Sequence, residues 1–137
     1  MIVVDGAEIG EYVGKRLGGK IGQPYTAFGF MTDDKKPLSA FVFNDYNGSN
    51  IEMSGVSEPG GLTRAVLRYV FNYAFEQCGC RRLTIRTKKQ NKAMLKLAPR
   101  LGFKYEGIAK HFYEDDDAVV FRMLKADCPW LTRTANK

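Results

Sequence analysis

The sequence predicts an α/β domain built on a mixed, mostly antiparallel central sheet with helices on both faces. Three observations carry that prediction. Between residues 25 and 57, short apolar segments alternate with polar turns, the pattern of an antiparallel meander. A glycine break at Pro59-Gly60-Gly61 leads into the longest amphipathic stretch of the chain. Strand, helix, strand, helix and strand patterns then alternate to residue 124, as in crossover connections that place helices over a sheet. With 137 residues, the chain has room for one domain, expected over residues 1–131, with a loose tail from Thr132.

Each element has a local reason. Asp5-Gly6-Ala7-Glu8 has capping-box spacing, and Ile9, Tyr12, Val13 and Leu17 follow at helical intervals, so a first helix is expected to stop at Gly18-Gly19. Tyr25 to Met31 and Leu38 to Phe43 read as strands joined through the turn Thr32 to Pro37, and a third strand runs from Ile51 to Ser57 after the turn at 44–49. Thr63 can cap the next helix, whose apolar stripe is Val66, Leu67, Val70, Phe71, Ala74, Phe75 and Cys78, with Gly79 closing it. Arg81 to Thr87 alternates as a strand with one partly wet face. Asn91 caps a helix with inner residues Met94, Leu95, Ala98 and Leu101, ending at Gly102. Pro99 removes one of its backbone bonds and predicts a short or bent helix. Lys104 to Ala109 and Ala118 to Leu124 are the last two strands.

Composition narrows the class. Hydrophobic residues at 45% and charged residues at 26% are globular values, so disordered, collagenous and mucin-like chains are excluded. No apolar run approaches the ~20 residues needed to span a bilayer, and the first residues lack a secretion signal, so no membrane partner and a cytoplasmic location are expected (host cytoplasm if phage-encoded). Cys78, Cys80 and Cys128 lack zinc spacing and His111 is the single histidine, so no metal site is expected and the thiols read as small buried groups. A net charge of +6 favours an anionic partner, either nucleic acid or a phosphate-bearing cofactor.

The chemistry concentrates in Ser57 to Ala65. A glycine-rich turn that leaves a strand and opens a helix directs unpaired backbone N–H groups outward, where the helix dipole adds positive potential; this can cradle a diphosphate, or serve only as loop punctuation.

Asn91 to Gly107 weighs toward the cradle. That segment, with Asn91, then Leu101-Gly102-Phe103 and Glu106-Gly107, resembles the ending of the GCN5-related N-acetyltransferase (GNAT) superfamily. Leu62-Thr63-Arg64, Tyr73-Ala74-Phe75 and Cys128-Pro129-Trp130-Leu131 look like its ribosomal-protein N-acetyltransferase branch, in particular the short members carried by bacteriophages and prophages. The resemblance runs from about Tyr25 to Leu131. It implies a GNAT-like acyl-CoA N-acyltransferase fold and an acetyl-CoA-dependent N-acetyltransferase, moving an acetyl group to an amine by direct attack on the thioester. A homodimer is carried with it as an expectation.

The resemblance also implies a site. Val56 and Ser57 would pair with the pantetheine arm, and the backbone from Gly60 through Gly61, Leu62, Thr63 and Arg64 to Ala65 would hold the pyrophosphate, with Asn91 near the thioester. Two positions of the glycine turn depart from the family pattern: Gly60 and Thr63 replace its leading Gln or Arg and its middle Gly. Ala98 stands where many members carry the tyrosine that reprotonates the thiolate. For catalysis this leaves Glu52 and Ser54, on one face of the third strand, to order a water that takes the amine proton. Arg86, Lys88, Lys89 and Lys92 either meet the 3'-phosphate of CoA or solvate the surface. The run Glu114 to Asp117 either favours a cationic small-molecule or protein amine acceptor, or is a hydrated turn, and His111 and Tyr113 border it. Two other readings compete: a basic nucleic-acid-binding module on the Arg81 to Lys92 surface, disfavoured by the acidic run and the lack of a reading motif, and a CoA-binding protein that has lost catalysis.

Overall fold

A computed structural model describes residues 1–131; the tail expected from Thr132 lies outside the described residues. Seven strands form one sheet: β1 (Ile2–Asp5), β2 (Tyr25–Met31), β3 (Pro37–Asn44), β4 (Asn50–Ser57), β5 (Arg82–Lys88), β6 (Lys104–Ala109) and β7 (Ala118–Leu124). Their spatial order is β1-β2-β3-β4-β5-β7-β6. Helix α1 (Ala7–Leu17) connects β1 to β2, α2 (Arg64–Asn72) lies between β4 and β5, and α3 (Lys92–Leu101) between β5 and β6. The sheet is mixed: β4 and β5 are parallel, and the other neighbouring pairs are antiparallel.

The strand pleat sorts the core into two layers. Val13 of α1 packs with Ala27, Ala40 and Val42 on one face, and Val56 joins them. On the other face Val66, Val70 and Phe71 of α2 and Ala98 and Leu101 of α3 pack with Phe30, Phe43, Met53, Leu83 and Phe121 of the sheet. Helices therefore cover both faces, as their apolar stripes require.

The local signals act as expected at most termini. Gly18 and Gly102 close α1 and α3 at φ 79 and 109, in the left-handed region that favours glycine. Thr63 and Asn91 cap α2 and α3, accepting from the backbone N–H groups of Val66 and Met94 at 3.2 Å each.

Three details differ. The capping box at Asp5 does not form: Gly6 is the N-cap, no side chain caps it, and Asp5 is drawn into β1 opposite Phe28. That first strand has only four residues and its pairing partner lies beyond α1, so nothing local signals it. The stripe expected as one regular helix ends its α-helical part at Asn72 and widens into a π-turn over Tyr73–Gln77, closed by the Cys78 N–H donating to the Tyr73 carbonyl at 2.8 Å. The wider turn sets the Tyr73 ring 4.9 Å from both Phe28 and Phe43 while Ala74 and Phe75 stay buried. Finally, the second crossover does not place β6 beside β5, because β7 inserts between them.

Candidate active site

The site begins where two strands part. The β4–β5 ladder consists of Asn50, Ile51 and Glu52 opposite Arg82, Leu83 and Thr84, although β4 continues to Ser57 and β5 to Lys88. Beyond Glu52 each strand keeps only its outer neighbour, β3 for β4 and β7 for β5. Ladder parity shows which main-chain groups face the gap. The Glu58 N–H donates to the Leu38 carbonyl in register with the β3–β4 ladder, so even-numbered residues of β4 bond to β3, and Gly55 and Ser57 turn their N–H and C=O groups into the gap. Val56, expected to pair with a pantetheine arm, spends its main chain on β3; Gly55 takes its place beside Ser57. On the far side, the Lys125 N–H donating to the Arg81 carbonyl fixes the opposite parity, so Arg86 directs its main chain toward the gap.

At the gap's end, a tight turn joins β4 to α2. Gly61 donates its N–H to the Glu58 carbonyl at 2.8 Å, and its own carbonyl accepts from Ser39 Oγ at 3.1 Å. Its amide is therefore not one of the outward donors expected of this segment. A Cβ there would overlap the Leu38 carbonyl oxygen and lie 2.7 Å from Ser57 Oγ, so glycine is needed for close backbone approach. Gly60, at φ 75, supplies the left-handed bend, and Ser57 Oγ donates to the Glu58 carbonyl at 2.8 Å. Among the donors that do remain are the N–H groups of Arg64 and Ala65 in the first turn of α2, which have no intrahelical acceptor and belong to exposed residues. Thr63 serves this helix start as its cap, and the Arg64 guanidinium lies 5.9 Å over the Trp130 ring.

Two cavities meet through the gap. A narrow slot of about 80 Å³ on the α2–α3 face is lined by Met53, Gly55, Ser57, Leu62, Ile85 and Met94. A wide mouth of about 1110 Å³ opens on the α1 face between the α1–β2 loop and the β6–β7 hairpin. Ser54, Arg86, Thr87 and Asn91 line both. Asn91 is held at this junction by its cap and by Nδ2 donating to Thr87 Oγ1 at 3.2 Å.

The charged residues arrange differently from their expected roles. Glu52 ion-pairs with Arg86 across the start of the gap. The Arg86 guanidinium also lies 4.4 Å over the Phe112 ring, and its main-chain carbonyl accepts from the Tyr113 hydroxyl at 3.1 Å. Burial pushes the Tyr113 phenol above its ordinary range, so it remains a donor at neutral pH. Lys88 pairs with Asp115 at 3.0 Å. Neither Arg86 nor Lys88 therefore offers a free charge to a cofactor phosphate. Sequence reasoning passed over the Glu52–Arg86 pair; the available signal was that Thr84 and Arg86 alternate onto one face of β5, the face Glu52 shares on its neighbour.

The acidic run is held inside its own hairpin. Asp116 accepts from the Gln90 N–H at 2.7 Å, and Asp117 accepts from the His111 N–H at 2.9 Å and pairs with Lys110 at 3.1 Å. The His111 N–H first, and Lys110 after it, hold the Asp117 carboxyl below the usual aspartate range. Ala98, the position where the sequence resemblance expects an acid, is fully buried in the core. Among the described residues no group of three or more His, Cys, Asp or Glu is placed to hold a metal ion. No helix among them is long and apolar enough to cross a membrane.

The mixed sheet with one parted parallel pair and helices on both faces is a fold shared with solved acetyltransferase structures. A chimera of the Vibrio cholerae spermidine N-acetyltransferase SpeG and hSSAT superposes with a TM-score of 0.65 at 15% identity, covering 74% of this chain and 68% of that one. The N152L mutant of Vibrio cholerae SpeG gives 0.65 at 14% identity, covering 76% and 66%. A probable acetyltransferase gives 0.65 at 21% identity, covering 76% and 63%. The chain thus spans about two thirds of the length of these proteins. No family model and no curated protein sequence matches it.

Proposed function

We propose that this protein is an acetyl-CoA-dependent N-acetyltransferase. The observation that carries the reading is the gap itself. The unpaired main chain of Gly55 and Ser57 offers a strand-like edge to an extended amide-bearing arm. The edge leads to the Arg64 and Ala65 N–H groups, which suit a pyrophosphate, and the slot opens through the sheet onto a mouth large enough for a second substrate. The likeness to acetyltransferases, at 14% to 21% identity, supports this reading at the level of the fold.

In this reading CoA supplies an acetyl thioester, and the chain's residues position it against an amine. The amine nitrogen bonds to the thioester carbon, the carbon–sulfur bond breaks, and the amine proton must leave. Ser54, where the slot meets the mouth, and Glu52, on the mouth side, order the water that takes this proton, while Asn91 fixes the far wall. Because Glu52 is paired with Arg86, it acts as an anchored carboxylate rather than a free base. With Ala98 in the core, the departing thiolate takes its proton from water.

The ribosomal-protein and phage branch belongs to this proposal on the sequence resemblance alone. Nucleic-acid binding is set aside because Arg86 and Lys88 of the basic stretch are occupied by carboxylates.

Calorimetry with acetyl-CoA tests the donor site: saturable binding that stabilises the fold is expected, and its absence rejects the reading. Release of free CoA thiol on adding an amine separates a transferase from a CoA-binding protein without turnover.

A further inference from the structure

Resting on that reading, we infer that the acceptor is a singly charged amine on an aromatic or other apolar body, not a polyamine, and that Phe112 selects it. The charges around the mouth carry the first half of the inference. Its lining cations are Arg16, Lys20, Arg86 and Lys88. Its carboxylates are Asp45, Glu52, Glu114 and Asp115, which match the cations in number, but Arg16 is paired with Glu58 outside the lining at 3.1 Å, so a single negative charge is left over. Half of these carboxylates are already paired within the lining, Glu52 with Arg86 and Asp115 with Lys88. The rest of the acidic hairpin is spent on its own fold, Asp116 on the Gln90 N–H and Asp117 on the His111 N–H and Lys110. A polycation entering here meets the Arg86 guanidinium beside Glu52 and the Lys88 ammonium beside Asp115, and one surplus negative charge is too little to hold several positive ones.

The second half rests on Phe112. It is 48% exposed although it lines a cavity, and it is braced rather than loose: the Arg86 guanidinium lies over its ring at 4.4 Å and Tyr113 packs edge-on with centroids 5.0 Å apart. A fixed, half-open aromatic face in a cavity wall gains by being covered with apolar surface. Arg86 links this wall to the junction, since the same side chain touches Phe112 and Glu52 and lines both cavities. An amine whose ring lies on Phe112 thus shares the cavity with that one surplus negative charge, left among Asp45, Glu114 and Lys20, one charge matched to one.

The test compares phenethylamine with spermidine as acceptors by CoA thiol release, using the wild type and the variants Phe112→Ala and Phe112→Leu. The expected result is a kcat/KM at least about tenfold higher for phenethylamine, a preference that Phe112→Ala erases and Phe112→Leu partly keeps. Wild-type kcat/KM for spermidine should also change little between low and high salt, since only one surplus charge is there to be screened. Spermidine preferred over phenethylamine, equal use or neglect of both, or a ratio untouched by Phe112→Ala overturns the inference. Calorimetric acetyl-CoA binding, measured on every variant, keeps the two questions apart. Its presence with the wrong acceptor ratio sinks only the acceptor inference, and its absence in the wild type sinks the donor reading.

Discussion

Replacing Gly61 with alanine separates two roles for the turn between β4 and α2. If Gly61 is there to offer its amide to a phosphate, an added methyl weakens acetyl-CoA binding and leaves stability nearly unchanged. The structure requires the opposite. A Cβ at Gly61 overlaps the Leu38 carbonyl oxygen and comes within 2.6 Å of that carbonyl's carbon, both of them main-chain atoms of a strand held on its two sides. Overpacking commonly costs about 1 to 3 kcal/mol, and an overlap with main chain rather than a flexible side-chain tip belongs at the upper end. At roughly 3 to 5 °C per kcal/mol for a chain of this size, Gly61→Ala should lower Tm by on the order of 10 °C. Two controls calibrate the scale. Gly60→Ala meets nothing within 4 Å but holds φ at 75, so it should lose about 1 kcal/mol to left-handed strain alone. Gly107→Ala has both open space and an ordinary φ, and should be close to neutral. Thermal unfolding followed by circular dichroism reads all three. A Gly61→Ala protein that melts within about 3 °C of Gly107→Ala would refute the packing argument.

Three further outcomes follow from the same geometry. Thr63→Ala removes the acceptor for the Val66 N–H and should cost about 1 kcal/mol, most of it recovered by Thr63→Asp, as read by chemical denaturation. Ala98→Tyr, which places a phenol where the sequence resemblance expects one, should instead destabilise by about 2 to 3 kcal/mol without raising thiol release, because residue 98 faces the core; a stable protein with faster thiol release would show that the position reaches the site. Acidification should loosen the β6–β7 hairpin first: the Asp117 carboxyl is held low by the His111 N–H and Lys110, and the Asp115 carboxyl by Lys88, so their contribution is complete above the ordinary aspartate range and fades as pH falls through the lowered values. Hydrogen exchange at the His111 amide, measured stepwise below about pH 4, should therefore rise against the intrinsic rate before the core amides do, and protection lost together with the core would contradict the assignment.

What could be read from the chain alone was whatever is decided within one turn of a helix or one hairpin. Thr63, Asn91, Gly18 and Gly102 act on neighbours within five residues, and their roles were legible. The strand Ile2–Asp5 was not, because its stability comes from Phe28 to Met31 on the far side of α1, and that pairing takes Asp5 away from the capping role its spacing suggested. The site divides in the same way. The glycine turn was visible, but which of its amides stay free depends on Leu38 approaching from β3, and which residues of β4 face the gap depends on ladder parity. The charges of Arg86, Lys88 and the acidic run were visible too. Their mutual pairing was not, because it needs the register of β5 against β4 and the fold of the β6–β7 hairpin.

The gap is a consequence of what grips each strand from outside. At the end of β4, the Glu58 N–H bonds to the Leu38 carbonyl, and the packing of Gly61 on that same residue ties the turn to β3. At the end of β5, the ladder with β7 runs through Lys88 opposite Ala118, and the Lys89 N–H bonds to the Asp117 carbonyl, which ties that strand to the acidic hairpin. The two ends are thus committed to opposite sides of the sheet, and closing the gap would break bonds on both flanks to form new ones between them. Unpaired main chain is tolerated between the strands because it borders open cavities, where water or a bound chain can satisfy it, and because the Tyr113 hydroxyl already serves the Arg86 carbonyl. The acidic run then has a structural reason to exist that is independent of any cationic substrate: its aspartates fix the hairpin against the end of β5, and that hairpin helps hold the sheet open.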